Sequence, residues 1–126
     1  MIDPAFWNGK NVFLSGHTGF KGSWMSLWLS ELGAHVTGYA LHPPTEPSMF
    51  YVSKIESALA KNIHADIEDV RALTTEMHES EPEVVIHMAA QSLVRESYID
   101  PTRTFSTNVM GTVHLFEAIR KTPSVK

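Results

Sequence analysis

The stretch NVFLSGHTGFKGSW, Asn11 to Trp24, constrains the fold more than any other part of the chain. Three glycines, Gly16, Gly19 and Gly22, stand three apart between an apolar run and a segment with helical periodicity. Val12 to Ser15, bounded by Gly9 and Gly16, reads as a short buried strand. Gly19 to Leu32 reads as a helix, with Trp24, Leu27, Trp28 and Leu32 at helical spacing and Gly33 placed to end it in a left-handed cap. Ala34 to Leu41 reads as a second strand. Strand, glycine turn, helix and strand within about 30 residues make a βαβ unit. Its strands are parallel, and a parallel sheet needs helices over both faces.

The rest of the chain continues the alternation. Three prolines between His42 and Ser48 forbid regular structure there. A weak helix is expected around Tyr51 to Ala60, and a third strand over Ile63 to Ala65, ending at Asp66. Ile67 to Ser80 reads as a helix with Ile67, Val70, Leu73 and Met77 on one face, ended by Pro82. Glu83 to Ala90 reads as a fourth strand, and Gln91 to Asp100 as polar and irregular. Asp100-Pro101 is a helix start, Asp as N-cap and Pro at the first helical position. The helix from Thr102 to about Lys121 carries Phe105, Val109, Val113, Phe116 and Ile119 at helical spacing, and Pro123 breaks it. Residues 124–126 stand where a fifth strand would begin. The predicted fold class is therefore α/β: a Rossmann-type doubly wound parallel sheet, incomplete, with about four strands plus the start of a fifth.

Composition narrows the function classes. At 126 residues the chain is one domain or part of one. Hydrophobic content of 43% and charged content of 19% are those of a globular chain rather than a disordered one. The net charge of -4 and the lack of a basic run argue against a nucleic-acid partner. Without cysteine there is no disulfide scaffold, thiol nucleophile or thiolate metal site, which is compatible with a cytoplasmic protein. Asp3 and Pro4 stand where a signal peptide would be basic, and no run reaches the ~18 apolar residues of a membrane span.

Doubly wound sheets bind ligands at the carboxyl ends of their strands, where strand order reverses. Gly16 to Gly22, Asp66-Ile67 and Ala89 to Ser92 all fall at such ends. Glycines in a strand-to-helix turn tolerate unusual dihedrals and let a pyrophosphate approach the backbone, where the helix N-terminus stabilises its charge. The spacing G-x-x-G-x-x-G differs from the commoner G-x-G-x-x-G. Asp66 has two readings: acceptor for an adenine amino group beside the Ile67 N–H, or N-cap of the next helix. The second strand ends in GYALHPP, without the carboxylate that binds ribose hydroxyls or an arginine for a 2′-phosphate, so NAD and NADP both stay open. His17, inside the glycine turn, either crowds the cofactor or points to solvent. Among the seven histidines there is no H-E-x-x-H, so no metal site is expected. His87 reads as a satisfied core or edge histidine, and His114 lies in a helix. Ser15 and Ser92 lack a His/Asp arrangement, and SGHTG is not a nucleophile elbow, so a serine hydrolase is not supported.

The run Ser15-Gly16-His17-Thr18-Gly19-Phe20-Lys21-Gly22 resembles the T-G-x-x-G-x-x-G motif of the extended short-chain dehydrogenase/reductase family, with Ser for the first Thr. GHTGFKGSWMSLWL, LHPPTEPSMF and AAQSLVRESYIDPTRTFSTNVMGTVHLFEAIR are similar to the members that dehydrate a nucleotide sugar, CDP-glucose. The resemblance implies NAD as cofactor. It implies oxidation at sugar C4, loss of water across C5 and C6, and return of the same hydride to C6, on the way to dideoxy sugars of bacterial surface polysaccharide (lipopolysaccharide O-antigen). It implies that Gly16, His17, Thr18, Gly19, Phe20, Lys21 and Gly22 surround the pyrophosphate and that Asp66 and Ile67 contact adenine. Ala89, Ala90 and Gln91 would pass beside the ribose. Ser92 and Arg95 would face the substrate, and Thr107 (cofactor side) and Asn108 (substrate side) would lie on the helix behind the site. For Thr107 and Asn108, helix packing and backbone bonding is the equal alternative. The 102–121 helix would join a homo-oligomer.

The family's Tyr-x-x-x-Lys pair is missing: Tyr39, Tyr51 and Tyr98 are followed at that spacing by Pro43, Ile55 and Thr102. The expectation is that residues 1–126 are the N-terminal part of an NAD-binding domain, inactive alone, with the catalytic groups and the substrate domain beyond Lys126. The rivals are an epimerase or NADP-dependent reductase of the same family, and a non-catalytic nucleotide-binding module.

Overall fold

The computed structural model describes residues 3–126. In chain order it contains α1 (Pro4–Trp7), β1 (Asn11–Ser15), α2 (Phe20–Glu31), β2 (His35–Ala40), α3 (Met49–Val52) and β3 (Lys61–His64). Then follow α4 (Val70–Ser80), β4 (Val84–His87), α5 (Val94–Ile99), α6 (Pro101–Phe105) and α7 (Gly111–Arg120). The four strands form one parallel sheet in the order β3-β2-β1-β4. Strand order reverses between β1 and β4. Residues 124–126 form no strand, although the Lys126 N–H donates to the Glu83 carbonyl at 3.1 Å, beside the start of β4.

Alternate residues of β1 face opposite cores. Phe13 joins Tyr39, Leu73, Met77, Leu115 and Ala118 under α4 and α7. Val12 and Leu14 join Leu29, Ala34 and Val36 under α2. Fully burying side chains of this size stabilises each by about 1.5–3 kcal/mol.

Several elements differ from the sequence expectation. The row Trp24, Leu27, Trp28 and Leu32 does not face the sheet. Helix α2 buries Gly22, Ser23, Ser26 and Leu29 instead, and Trp24 and Trp28 are 57% and 49% exposed. The expected helix over Tyr51 to Ala60 is two short pieces, α3 and a 3₁₀ turn at Ile55–Ala58, separated by Lys54 in the left-handed region (φ 50°). Helix α4 begins at Val70 with Asp69 as N-cap, its carboxylate accepting the Ala72 N–H at 3.0 Å. Asp66 is therefore not the cap; its Oδ1 accepts the Glu68 N–H at 3.0 Å, closing a tight turn before the helix. Gln91 to Asp100 is not irregular throughout, because Val94–Ile99 is helical.

The Asp100-Pro101 start holds, with Asp100 Oδ1 accepting the Arg103 N–H at 2.9 Å. The long helix that follows is interrupted by a π-helical turn at Ser106–Met110. Its inner face is Gly111, Leu115 and Ala118. Phe105, Val109, Val113 and Phe116 lie outward and exposed, and of the expected row only Ile119 packs on the core.

Candidate functional site

The candidate site lies at the carboxyl ends of β1 and β4, where the glycine turn stands against the loop that follows β4. Two of the three glycines are explained by packing alone. Gly16 has φ +81°, and a Cβ there would stand 2.5 Å from the Met88 carbonyl carbon. A Cβ on Gly22 would be driven into the Gly16 carbonyl oxygen. Gly19 is different: its nearest neighbour to a Cβ is Gly16 O at 3.5 Å, an ordinary contact, and its φ is -73°. Folding does not require glycine at that position.

Gly19 is also the N-cap of the twelve-residue α2, and no side chain caps the helix. Ser, Thr, Asp or Asn is the usual choice for a cap. A bare cap with clear space before it exposes first-turn N–H groups and the positive end of the helix dipole. Phe20 and Lys21, the first two helical residues, are exposed. This geometry fits the pyrophosphate of a dinucleotide, whose charge needs donors and whose bulk needs the missing Cβ.

The turn is held rigidly from behind. The Gly16 N–H donates to the Tyr39 carbonyl at 2.9 Å, and buried Thr18 donates its hydroxyl to the Leu41 carbonyl at 2.8 Å. His17 does not point to solvent. Its ring is fully buried over Gly38, where a Cβ would stand 2.5 Å from the His17 Cγ. His17 Nε2 donates to Asn62 Oδ1 at 2.6 Å, which leaves Nδ1 buried without a partner. Asn62 Nδ2 in turn donates to Glu56 Oε1 at 3.2 Å and His64 Nε2 at 3.3 Å. Burial first, and His64 second, push the His17 imidazole below its ordinary value against the opposing Asn62 hydrogen bond. His64 is lowered by burial and by His42, whose ring stacks on it at 3.8 Å. His42 lies just past the end of β2, and His64 is the last residue of β3.

On the opposite wall, Ala89 is half-buried and Ala90 exposed. The Gln91 backbone is gripped at two points by Asn108: its N–H donates to Asn108 Oδ1 at 2.8 Å, and Asn108 Nδ2 donates to its carbonyl at 2.9 Å. The Gln91 side chain is spent on Leu93 and Thr104. Thr107 donates to Glu68 Oε1 at 2.9 Å, and Ser106 donates to the other oxygen at 2.5 Å. These two hydroxyls hold the Glu68 carboxyl below its usual range. Thr107 and Asn108 thus face inward from the π turn, a widening of the helix that recurs at functional sites. Ile67 is buried against Gly111, where a Cβ would stand 2.7 Å from Ile67 Cγ2, while Asp66 stays exposed beside it. Ser92 and Arg95 are exposed at the open end.

Sequence reasoning missed Gly38, Asn62, Glu68, Gly111 and Thr112. Only Gly38 carried a readable signal, since an isolated glycine inside a strand marks a close approach. Among the described residues no group of three or more His, Asp or Glu could hold a metal ion.

A family model described as GDP-mannose 4,6 dehydratase matches residues 13–126. CDP-glucose 4,6-dehydratase of Salmonella typhimurium is 54% identical over 126 residues, all of this chain and 35% of that protein. UDP-glucose 4-epimerase of Thermotoga maritima, solved with UDP-glucose, superposes with a TM-score of 0.80 at 28% identity, over 92% of this chain and 35% of its own. The Brucella ovis UDP-glucose 4-epimerase, solved in complex with NAD, gives 0.76 at 30%, over 92% and 34%. The chain spans about a third of the length of these relatives.

Proposed function

The chain belongs to the GDP-mannose 4,6-dehydratase family, whose model matches residues 13–126, and on that premise we propose that it is the NAD-binding portion of a nucleotide-sugar dehydratase acting on CDP-glucose. The observation that carries the dinucleotide is Gly19: a helix N-terminus without a side-chain cap, behind a glycine that packing does not require. The 54% identity to the Salmonella CDP-glucose 4,6-dehydratase supports the choice of sugar nucleotide, and the Brucella ovis epimerase solved with NAD supports the cofactor.

In this reading Gly16 to Gly22 cradle the pyrophosphate, with the Gly19, Phe20 and Lys21 backbone closest. Asp66 and the Ile67 N–H meet the adenine, and Ala89, Ala90 and Gln91 line the ribose. Ser92 and Arg95 face the sugar nucleotide. Thr107 and Asn108 fix the walls rather than touch the ligand, because their polar groups are already paired. Held there, NAD would supply the hydride chemistry for oxidation at sugar C4 and reduction at C6 on either side of the loss of water across C5 and C6. The catalytic acid and base and the substrate domain belong to a longer protein, so the 126 residues alone turn nothing over. The exposed row Phe105, Val109, Val113 and Phe116 supports a homo-oligomer through this helix. Among the described residues no helix is long and apolar enough to cross a membrane, and the reading places the enzyme in the cytoplasm, feeding dideoxy-sugar and O-antigen synthesis.

The test is full-length protein with CDP-glucose, and the expected product is the 4-keto-6-deoxy sugar nucleotide. A C4 epimer instead would favour the epimerase reading, which the superposition on the Thermotoga enzyme supports. For the site, Gly19→Ala is expected to fold normally and to weaken NAD at least ~tenfold, or about 1.4 kcal/mol. Equal affinity in calorimetry would remove Gly19 from the site.

A further inference from the structure

Ser15, His87 and Thr112 form a hydrogen-bonded row from β1 through β4 to α7. Ser15 Oγ lies 2.6 Å from His87 Nδ1, and His87 Nε2 lies 3.1 Å from Thr112 Oγ1. The other partners fix the direction of each bond. Thr112 donates its one proton to the Asn108 carbonyl at 2.7 Å, so it accepts from His87 Nε2–H. Ser15 Oγ accepts the Ala89 N–H at 3.3 Å and a share of the Met88 N–H at 3.1 Å, the Met88 N–H also donating to the Ser15 carbonyl at 3.0 Å. With His87 Nε2 holding the ring hydrogen, Nδ1 is the acceptor left for the Ser15 hydroxyl. Its own proton therefore goes to His87 Nδ1. Both ring nitrogens are used, and only the neutral tautomer with hydrogen on Nε2 satisfies the row. Burial favours the same state by pushing the imidazole below its ordinary value.

The row touches both walls of the site. Ser15 immediately precedes the glycine turn. Met88 and Ala89, held by its hydroxyl, lead into Gln91. Asn108, held through its carbonyl by Thr112, grips Gln91 from the far side. We propose that His87 is a positioning residue of the cofactor site, coupling the glycine turn to the Ala89–Gln91 loop by standing between Ser15 and Thr112. The proposal rests on the reading that the site takes a dinucleotide. A ligand spanning the site needs both walls at a fixed separation, and misplacement of one wall costs affinity without unfolding the sheet.

The test uses full-length protein, with NAD binding read by calorimetry and the His87 tautomer by nitrogen-15 NMR of labelled histidine. Wild-type His87 is expected to carry hydrogen on Nε2 and none on Nδ1. Thr112→Val leaves the strands untouched and removes the acceptor. It is expected to weaken NAD about three- to tenfold and to shift the His87 signal. Thr112→Ser, which keeps the hydroxyl, is expected to bind as wild type does. Hydrogen on Nδ1 in the wild type, or equal NAD affinity in Thr112→Val and wild type, overturns the proposal. Absence of NAD binding by the wild type overturns the dinucleotide reading and the cofactor role with it, while the tautomer result still decides whether the row exists.

Discussion

The two faces of the sheet are covered by different means. On one, α4 and α7 press Leu73, Met77, Leu115 and Ala118 onto Phe13 and Tyr39. On the other, α2 meets the sheet with Gly22, Ser23, Ser26 and Leu29 and turns Trp24 and Trp28 outward. The first face is held by apolar volume. The second is held by close approach: small residues let the helix start directly at the glycine turn, so that its N-terminus opens on the site. The Ser23 and Ser26 hydroxyls can be buried there because they donate to the His17 and Gly22 carbonyls. Both sides bury apolar side chains, but only on the α2 side do small helix residues set how closely the helix lies over them.

Leu73→Ala should break the bulk-held side most, leaving a cavity at a fully buried position. The expected loss is about 2–5 kcal/mol, read by urea unfolding of the full-length protein. A loss below ~1 kcal/mol would mean that α4 is not held by this core. Gly22→Ala should cost the close-approach side about 1–3 kcal/mol, because the new methyl meets backbone that cannot give way. A neutral result would show that α2 can slide outward without penalty. Gly38→Ala sharpens the same comparison at a single ring. It should cost about 1–2 kcal/mol by crowding His17. In the His17→Ala background that cost should vanish, a coupling that a double-mutant cycle measures directly. Additive losses would mean that the His17 ring is not what excludes a side chain at position 38.

The contrast also explains what the sequence could say. The βαβ unit, the glycine turn and the Asp100 cap were legible because each depends on local backbone demands. Gly33, at φ +85°, ends α2 for the same reason. The inward face of α2 was not legible. Periodicity picks out an apolar stripe without saying that a stripe of glycine and serine lies closer to the sheet. Helix α5 was missed because Val94–Ile99 mixes charged and apolar residues without a buried face, and none of its residues is buried. Asp66 was the cap the sequence suggested, and the path of the chain after β3 puts Asp69 there instead. At the site, the glycines were readable from spacing. The partners of Gln91, Glu68 and His87 were not, because they come from α6, the π turn and α7, far along the chain.

The smallest expected effect tests the outward face of α2. Trp28 lies with Trp24, Met25, Leu27 and Met88 around an open apolar cavity of about 690 Å³. If the chain's own fold is held as described, Trp28→Ser removes no core contact and changes the stability of the 126-residue chain by less than ~0.5 kcal/mol. Urea midpoints of the two proteins check this. A larger loss would mean that the tryptophan row supports the sheet after all, and that α2 is held by bulk like its opposite. Val84, Ile86 and Met88 are only partly buried on this side of β4, which leaves room for further cover there. Parallel sheets are covered on both faces. The same substitution in a full-length protein therefore reads a different quantity, the packing of whatever lies over β4. A greater loss there than in the short chain would assign the exposed indole to that contact rather than to the fold of α2.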